Sequence, residues 1–231
     1  INFNSWMNIS DKFISWEKSN EKKISQLPPL NLKINKKTSI GKNKNILFCT
    51  SNTNLYACRI QDYVISSQIV ECFKFWKNLF DSMSDNIKDK IVIRHVPNFD
   101  PWNQKEKLNK LFVHNAISQK KNFVDELKRS KIVINTAMQT TFFESMSFGV
   151  PTLVLLNNDL WNLSIKGKII YEKLKANKII FNNVDKLNQH LEEISEQPNL
   201  WWNTEKILKV RQEFHDHYCK KNNFNKWNEF F

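Results

Sequence analysis

From residue 45 onward the chain alternates short runs that are apolar at nearly every position with longer stretches of helical periodicity. The short runs are NILFCT (45–50), KIVIRHV (90–96), LFVHN (111–115), KIVINT (131–136), PTLVLL (151–156) and KIIFN (178–182). A strand with one wet face alternates apolar and polar residues, whereas one covered on both faces reads as a continuous apolar run. Six such runs separated by helical patterns predict an α/β domain: a Rossmann-like, doubly wound parallel sheet of about six strands with helices on both faces.

The intervening helices are legible by their spacing. RIQDYVISSQIVECFKFWKNLFDSM (59–83) puts Ile60, Val64, Ile65, Ile69, Cys72, Phe73, Trp76 and Phe80 on one broad stripe. KNFVDELKRS (121–130) and VDKLNQHLEEISEQ (184–197) are shorter versions, and a helical tail opens at Pro198, with Trp201 and Trp202 expected to dock it onto the domain. Ahead of the domain, Trp6, Ile9, Phe13, Ile14 and Trp16 recur at roughly helical spacing, and Pro28, Pro29 and Gly41 then break the pattern. The organisation expected is a helical lead-in and linker over 1–44, then a Rossmann-like domain with its C-terminal helical tail over 45–231. Because the first residue is Ile, the chain is treated as a piece of a longer protein.

Composition narrows the function only slightly. The net charge is +12, which suits anionic ligands or an anionic membrane face. Lys, Asn, Ile and Phe are all abundant and Gly occurs three times, however, and the basic residues are spread along the chain, so a solvated Lys-rich surface explains the charge and nucleic acid is not the expected partner. Cys49, Cys58, Cys72 and Cys219 form no C-x-x-C pair and read as reduced, buried thiols. His215 and His217 are two apart, so a helix turns them to different sides, and no metal site is expected. No apolar run reaches the length of a membrane-spanning helix.

Candidate chemistry gathers where the strands stop. The six runs end in TSN (50–52), RH (94–95), HN (114–115), NT (135–136), NND (157–159) and NN (182–183). In a parallel sheet these ends share one edge, and ligands bind there at the switch point of the strand order. Arg94 follows an apolar strand and is expected to emerge at that edge, either facing phosphate or paired with an acidic neighbour such as Asp100. Asn135, Thr136, Gln139, Thr140 and Thr141 lie between a strand and the next helix, with Glu144 one turn in. A helix start exposes unpaired N–H groups, and hydroxyls beside them make a cradle for phosphate. The same residues fit an ordinary cap, because Thr141-x-x-Glu144 is a capping-box pattern.

SKIVINTAMQTTFFESMSFGVPTLVLL (130–156) resembles the donor-site segment of GT-B glycosyltransferases: strand, Thr-bearing loop, helix with an acidic residue, and a Gly-x-Pro turn into the next strand. With ACRIQDY around Arg59, VIRHVPNFDPW around Arg94, the stretch over 160–182, and WW followed by VRQEFHDHY, residues 45–218 are similar to transferases of bacterial O-antigen and other surface-carbohydrate clusters. The resemblance implies a cytoplasmic enzyme working at or near the inner membrane face. It would transfer a sugar from a nucleotide-activated donor to a glycan or lipid-linked acceptor.

It also implies that Thr140 and Thr141 face the donor phosphate, with Gln139 among the substrate-binding residues, that Glu144 reaches the ribose hydroxyls, and that Arg59 and Arg94 stand near the anionic leaving group. No cofactor or metal is implied, the nucleotide-sugar being a substrate. Two departures matter. The first strand ends in TSNTN instead of a glycine-rich turn, and the amino-terminal half that supplies the acceptor site and often the base has no counterpart, so the catalytic base stays unassigned. A non-catalytic nucleotide-sugar-binding module and a basic nucleic-acid-associated protein of the same fold are the alternatives.

Overall fold

The structure is a computed structural model and describes residues 8–16, 19–27, 45–51, 64, 68–95, 100, 102–112, 115–118, 122–157, 160, 163, 165–219 and 227. Its centre is a six-stranded parallel sheet. The strands are β3 (Asn45–Cys49), β4 (Ile91–Arg94), β5 (Ala116–Ile117), β6 (Ser130–Asn135), β7 (Thr152–Leu155) and β8 (Ile180–Phe181), in the order β5-β4-β3-β6-β7-β8. Every described pairing in it is parallel. The strand order reverses direction between β3 and β6, so the expected doubly wound sheet is present and its switch point lies there.

The middles of the strands are apolar because both faces are covered. Ile46, Phe48, Ile93, Ile132, Ile134 and Leu153 line one face, under α1 (Gln68–Asp81), α2 (Asp85–Lys88), α3 (Gln104–Leu111) and α7 (Val184–Ile194). Leu47, Cys49 and Val133 line the second face, under α4 (Phe123–Leu127) and α5 (Thr140–Phe148). Towards β8, that face continues as Val154 and Ile180 beneath α6 (Ile165–Ala176), α8 (Pro198–Trp202) and α9 (Glu205–Tyr218). α5 ends at Gly149, which takes φ +87°, a left-handed conformation that costs a residue with a Cβ, and Val150 and Pro151 lead straight into β7. Asn183 caps α7 by accepting from the Lys186 N–H at 2.9 Å. The described cysteines, Cys49, Cys72 and Cys219, are free and buried, as their apolar contexts suggested.

Four expectations change. In the lead-in, Phe13–Ser15 (β1) and Ile24–Gln26 (β2) form a two-stranded parallel ladder where helical spacing suggested a helix. Docking decides this: the Trp16 ring meets Phe143 edge-on at 5.7 Å, and Gln26 Nε2 donates to the His217 carbonyl at 2.9 Å. LFVHN opens as a helix end and not as a strand: Leu111 ends α3, Phe112 is its buried C-cap and β5 begins at Ala116, while Val113 and His114 lie outside the described residues. The long stripe is interrupted at Val64, a bend with φ +54°, so the helix starts at Gln68 and buries Ile69, Cys72, Trp76 and Leu79; Ile60 and Ile65 lie outside the described residues. The tail is two helices. They turn at Asn203, and Trp202 docks as expected, its Nε1 donating to the Gly149 carbonyl at 2.8 Å.

Candidate functional site

Parallel pairing places Arg94, Cys49 and Asn135 side by side at the carboxyl edge, on the second face of the sheet, because Cys49 is in register with both of the others. This is a row of polar groups where the sheet would otherwise be hydrocarbon. The Arg94 side chain is largely buried, with Nη1 3.9 Å from Glu126 Oε1 and its guanidinium 5.0 Å from the centre of the Phe123 ring. Its ionic partner is thus Glu126 on α4. Asp100 is engaged elsewhere: its carboxylate accepts from the N–H groups of Gln104 and Lys105 at the start of α3 and stands 3.8 Å from His95 Nε2. Burial pushes the His95 pKa down, Asp100 opposing it.

Glu144 projects from α5 into the same region and is half-buried. Burial pushes its pKa up and the Arg94 charge partly offsets this. One guanidinium therefore serves two carboxylates. Between them Cys49 is fully buried and its thiol is pushed up to about 12, chiefly by burial, so it remains a neutral spacer and not a nucleophile. Asn135 is completely buried, and neither Oδ1 nor Nδ2 has a hydrogen-bond partner. A buried amide normally finds partners, since leaving it bare costs about 1–3 kcal/mol.

The opposite side of the edge is tied tightly. Thr136 Oγ1 donates to the Cys49 carbonyl at 3.0 Å and accepts from the Ser51 N–H at 3.0 Å, stitching β3 to β6 at the switch point. The Ser51 carbonyl in turn accepts from Gln104 Nε2 at 3.0 Å. This rigid floor leaves the start of α5 as the open wall. Gln139 is the N-cap and makes no side-chain cap bond, while its carbonyl accepts from the N–H groups of Phe142 and Phe143. The capping box does not form, because Thr141 already lies inside the helix and its carbonyl accepts from Ser145 Oγ at 2.6 Å. Gln139 and Thr140 are exposed and Thr141 is half-buried. Among the described residues, the N–H groups and hydroxyls of Thr140 and Thr141 have no partner, which leaves donors directed at solvent where the helix dipole is positive.

Of the residues expected at the site, Arg94 and Glu144 come together, and Gln139, Thr140 and Thr141 adjoin them in sequence at the head of α5. Arg59 lies outside the described residues. The strand-end argument fails for Asn115, whose Nδ2 donates to the Lys88 and Ile91 carbonyls at the opposite edge of the sheet, because β5 follows it instead of preceding it. Glu126 was missed. Its signal was present: Phe123, Glu126 and Leu127 at i, i+3 and i+4 put a carboxylate on the buried stripe of α4, where only a cation can compensate it.

A model of the LIC12162 family transferases matches residues 1–230. The chain belongs to the LIC12162 family. It is therefore a member of a transferase family, with the α/β fold described above. Solved structures of the wall teichoic acid polymerase TagF, in unmodified and two variant forms, are similar at TM-scores of 0.43 to 0.47 and 12–13% identity. The match covers 99% of this chain and 58% of theirs, so the chain spans little more than half the length of those structures. A comparison with curated proteins finds no match. Among the described residues no helix is long and apolar enough to cross a membrane.

Proposed function

We propose that this family member is the donor-binding portion of a GT-B-type glycosyltransferase. It would transfer a sugar from a nucleotide-activated donor to a surface-glycan or lipid-linked acceptor, in the cytoplasm and in peripheral contact with the anionic inner face of a membrane. The observation that carries this reading is the open head of α5 beside the buried Arg94–Glu126–Glu144 group at the switch point of a parallel sheet.

In the reaction proposed, the bond between the sugar's anomeric carbon and the donor phosphate oxygen breaks, the acceptor hydroxyl oxygen bonds that carbon, and the hydroxyl proton passes to a base to which no residue of this chain is assigned. Negative charge then grows on the departing phosphate. The Thr140 and Thr141 hydroxyls and the first N–H groups of α5 are donors suited to that charge, with Gln139 beside them, and fixed donors aimed at developing charge are typically a large catalytic term. Glu144 accepts from the ribose hydroxyls. The Arg94 charge opposes the burial that pushes the Glu144 pKa up, and Arg59 adds positive charge at the phosphate. No cofactor enters the proposal.

Calorimetric titration with nucleoside mono- and diphosphates, and with a short DNA duplex at two salt concentrations, tests the reading. Saturable nucleotide binding with a base preference is expected. Binding to DNA alone, collapsing as salt rises, would remove it.

A further inference from the structure

We propose that a cleft beside β8 is a second ligand site, apart from the switch point between β3 and β6, and that it takes a phosphorylated sugar. The cleft has a volume of about 510 Å³, within the range of small-molecule sites, and runs along the outer edge of β8 between α6 and α7. β7 separates it from the switch point.

Its lining is cationic. Lys175, Lys178 and Lys186 face one carboxylate, Glu193, and that carboxylate is already engaged by Lys178 Nζ at 3.1 Å and His190 Nδ1 at 3.1 Å. Lys175 and Lys186 make no ion pair among the described residues. Lys175, whose Nζ stands 5.8 Å from the centre of the Tyr171 ring, and Lys186 are two exposed cations lining one concave surface, which suits a dianionic group better than a single carboxylate and points to phosphate.

The wall specifies the remainder of the ligand. His190 is 3% exposed and packs its ring against Phe181, with centroids 5.6 Å apart, and against Trp201. Glu193 can only accept, so the neutral imidazole carries its proton on Nδ1 and Nε2 is left as an acceptor. That atom is buried and has no partner. Burial also lowers the His190 pKa, which keeps the ring in this neutral form. The exposed side chains of Gln189 and Asn183, the latter with its Nδ2 beyond the Oδ1 that caps α7, stand beside Phe181 in that wall and match hydroxyls and the C–H face of a sugar ring.

Glucose 1-phosphate, titrated calorimetrically against the whole chain, is the test, with glucose and inorganic phosphate as controls. Binding of glucose 1-phosphate tighter than either control is expected. Lys175→Gln with Lys186→Gln, both on exposed side chains and checked for unchanged melting, should weaken it by roughly tenfold or more, the scale of lost charge-assisted bonds. Thr140→Val with Thr141→Val should leave it unaltered, which separates this cleft from the proposed donor site. A polyprenyl-phosphate-linked glucose in detergent micelles, used as competitor, distinguishes a lipid-linked source from a free one. The proposal is overturned if the lysine substitutions do nothing, if inorganic phosphate binds as tightly as the sugar phosphate, or if the threonine variant loses the binding.

Discussion

Replacing Arg94 by Met removes the cation that the structure sets against Glu126 and Glu144 at the sheet edge. The Arg94 and Glu126 side chains are 11% and 6% exposed, so this is a buried pair. At their separation of 3.9 Å, two unit charges in an effective dielectric of about 20 attract by about 4 kcal/mol. Breaking a buried pair from one side typically costs about 3–5 kcal/mol, because the other charge is stranded. Here the stranded carboxylates can take up protons, so the loss near neutral pH should fall at the lower end, about 3 kcal/mol.

The pH dependence carries the sharper expectation. Glu144 already has a folded-state pKa above its ordinary value of 4.5, so its protonation favours the folded state at low pH, and that contribution is lost as pH rises through the folded pKa. Removing Arg94, which holds the pKa down, extends the loss to higher pH. Urea denaturation of the parent, Arg94→Met and Arg94→Met/Glu144→Gln at about pH 5 and about pH 8 reads this directly. The deficit of Arg94→Met should be clearly larger at the higher pH, and Glu144→Gln should restore part of it. An equal deficit at both values, or a deficit under about 0.5 kcal/mol, would refute the buried-charge account. The conservative Arg94→Lys, followed by melting temperature and nucleotide affinity together, separates the two roles: stability lost with affinity kept makes Arg94 structural only.

Thr140→Val with Thr141→Val should weaken nucleotide binding by roughly 1–3 kcal/mol while the ligand-free melting temperature holds, since neither hydroxyl has a partner among the described residues; calorimetry on the folded variant decides it. Asn135→Leu replaces a fully buried, unpartnered amide with an apolar side chain of similar size and should raise stability by about 1–3 kcal/mol, while lowering nucleotide affinity if the bare amide is kept for ligand; a destabilised variant would show that the amide has partners. Gly149→Ala should cost about 1–2 kcal/mol in chemical denaturation, because φ +87° is strained for any residue with a Cβ, although the nearest obstacle, Arg211 Nη2 at 3.5 Å, is only an ordinary contact.

What the sequence determined by itself is everything that follows from local periodicity. Continuous apolar runs at 45–50, 90–96, 131–136, 151–156 and 178–182 could be satisfied only by strands covered on both faces, and with helices between them a parallel doubly wound sheet follows. The polar residues that end those runs, and the Thr-rich head of α5, were visible for the same reason. LFVHN misled because the buried end of an amphipathic helix and a short buried strand are alike in an apolar run of that length.

Only the tertiary structure decided the partners. Glu126 meets Arg94 because α4 packs on the same face of the sheet as the Arg94–Cys49–Asn135 row, and that row itself depends on strand register. The lead-in residues Phe13–Ser15 took a strand where their spacing fitted a helix, since Trp16 docks on Phe143 and Gln26 on the His217 carbonyl. In each case the deciding energy is a contact between residues distant in sequence, the burial of a charge or the docking of a ring, and a contact of that kind leaves no trace in the spacing of neighbours along the chain.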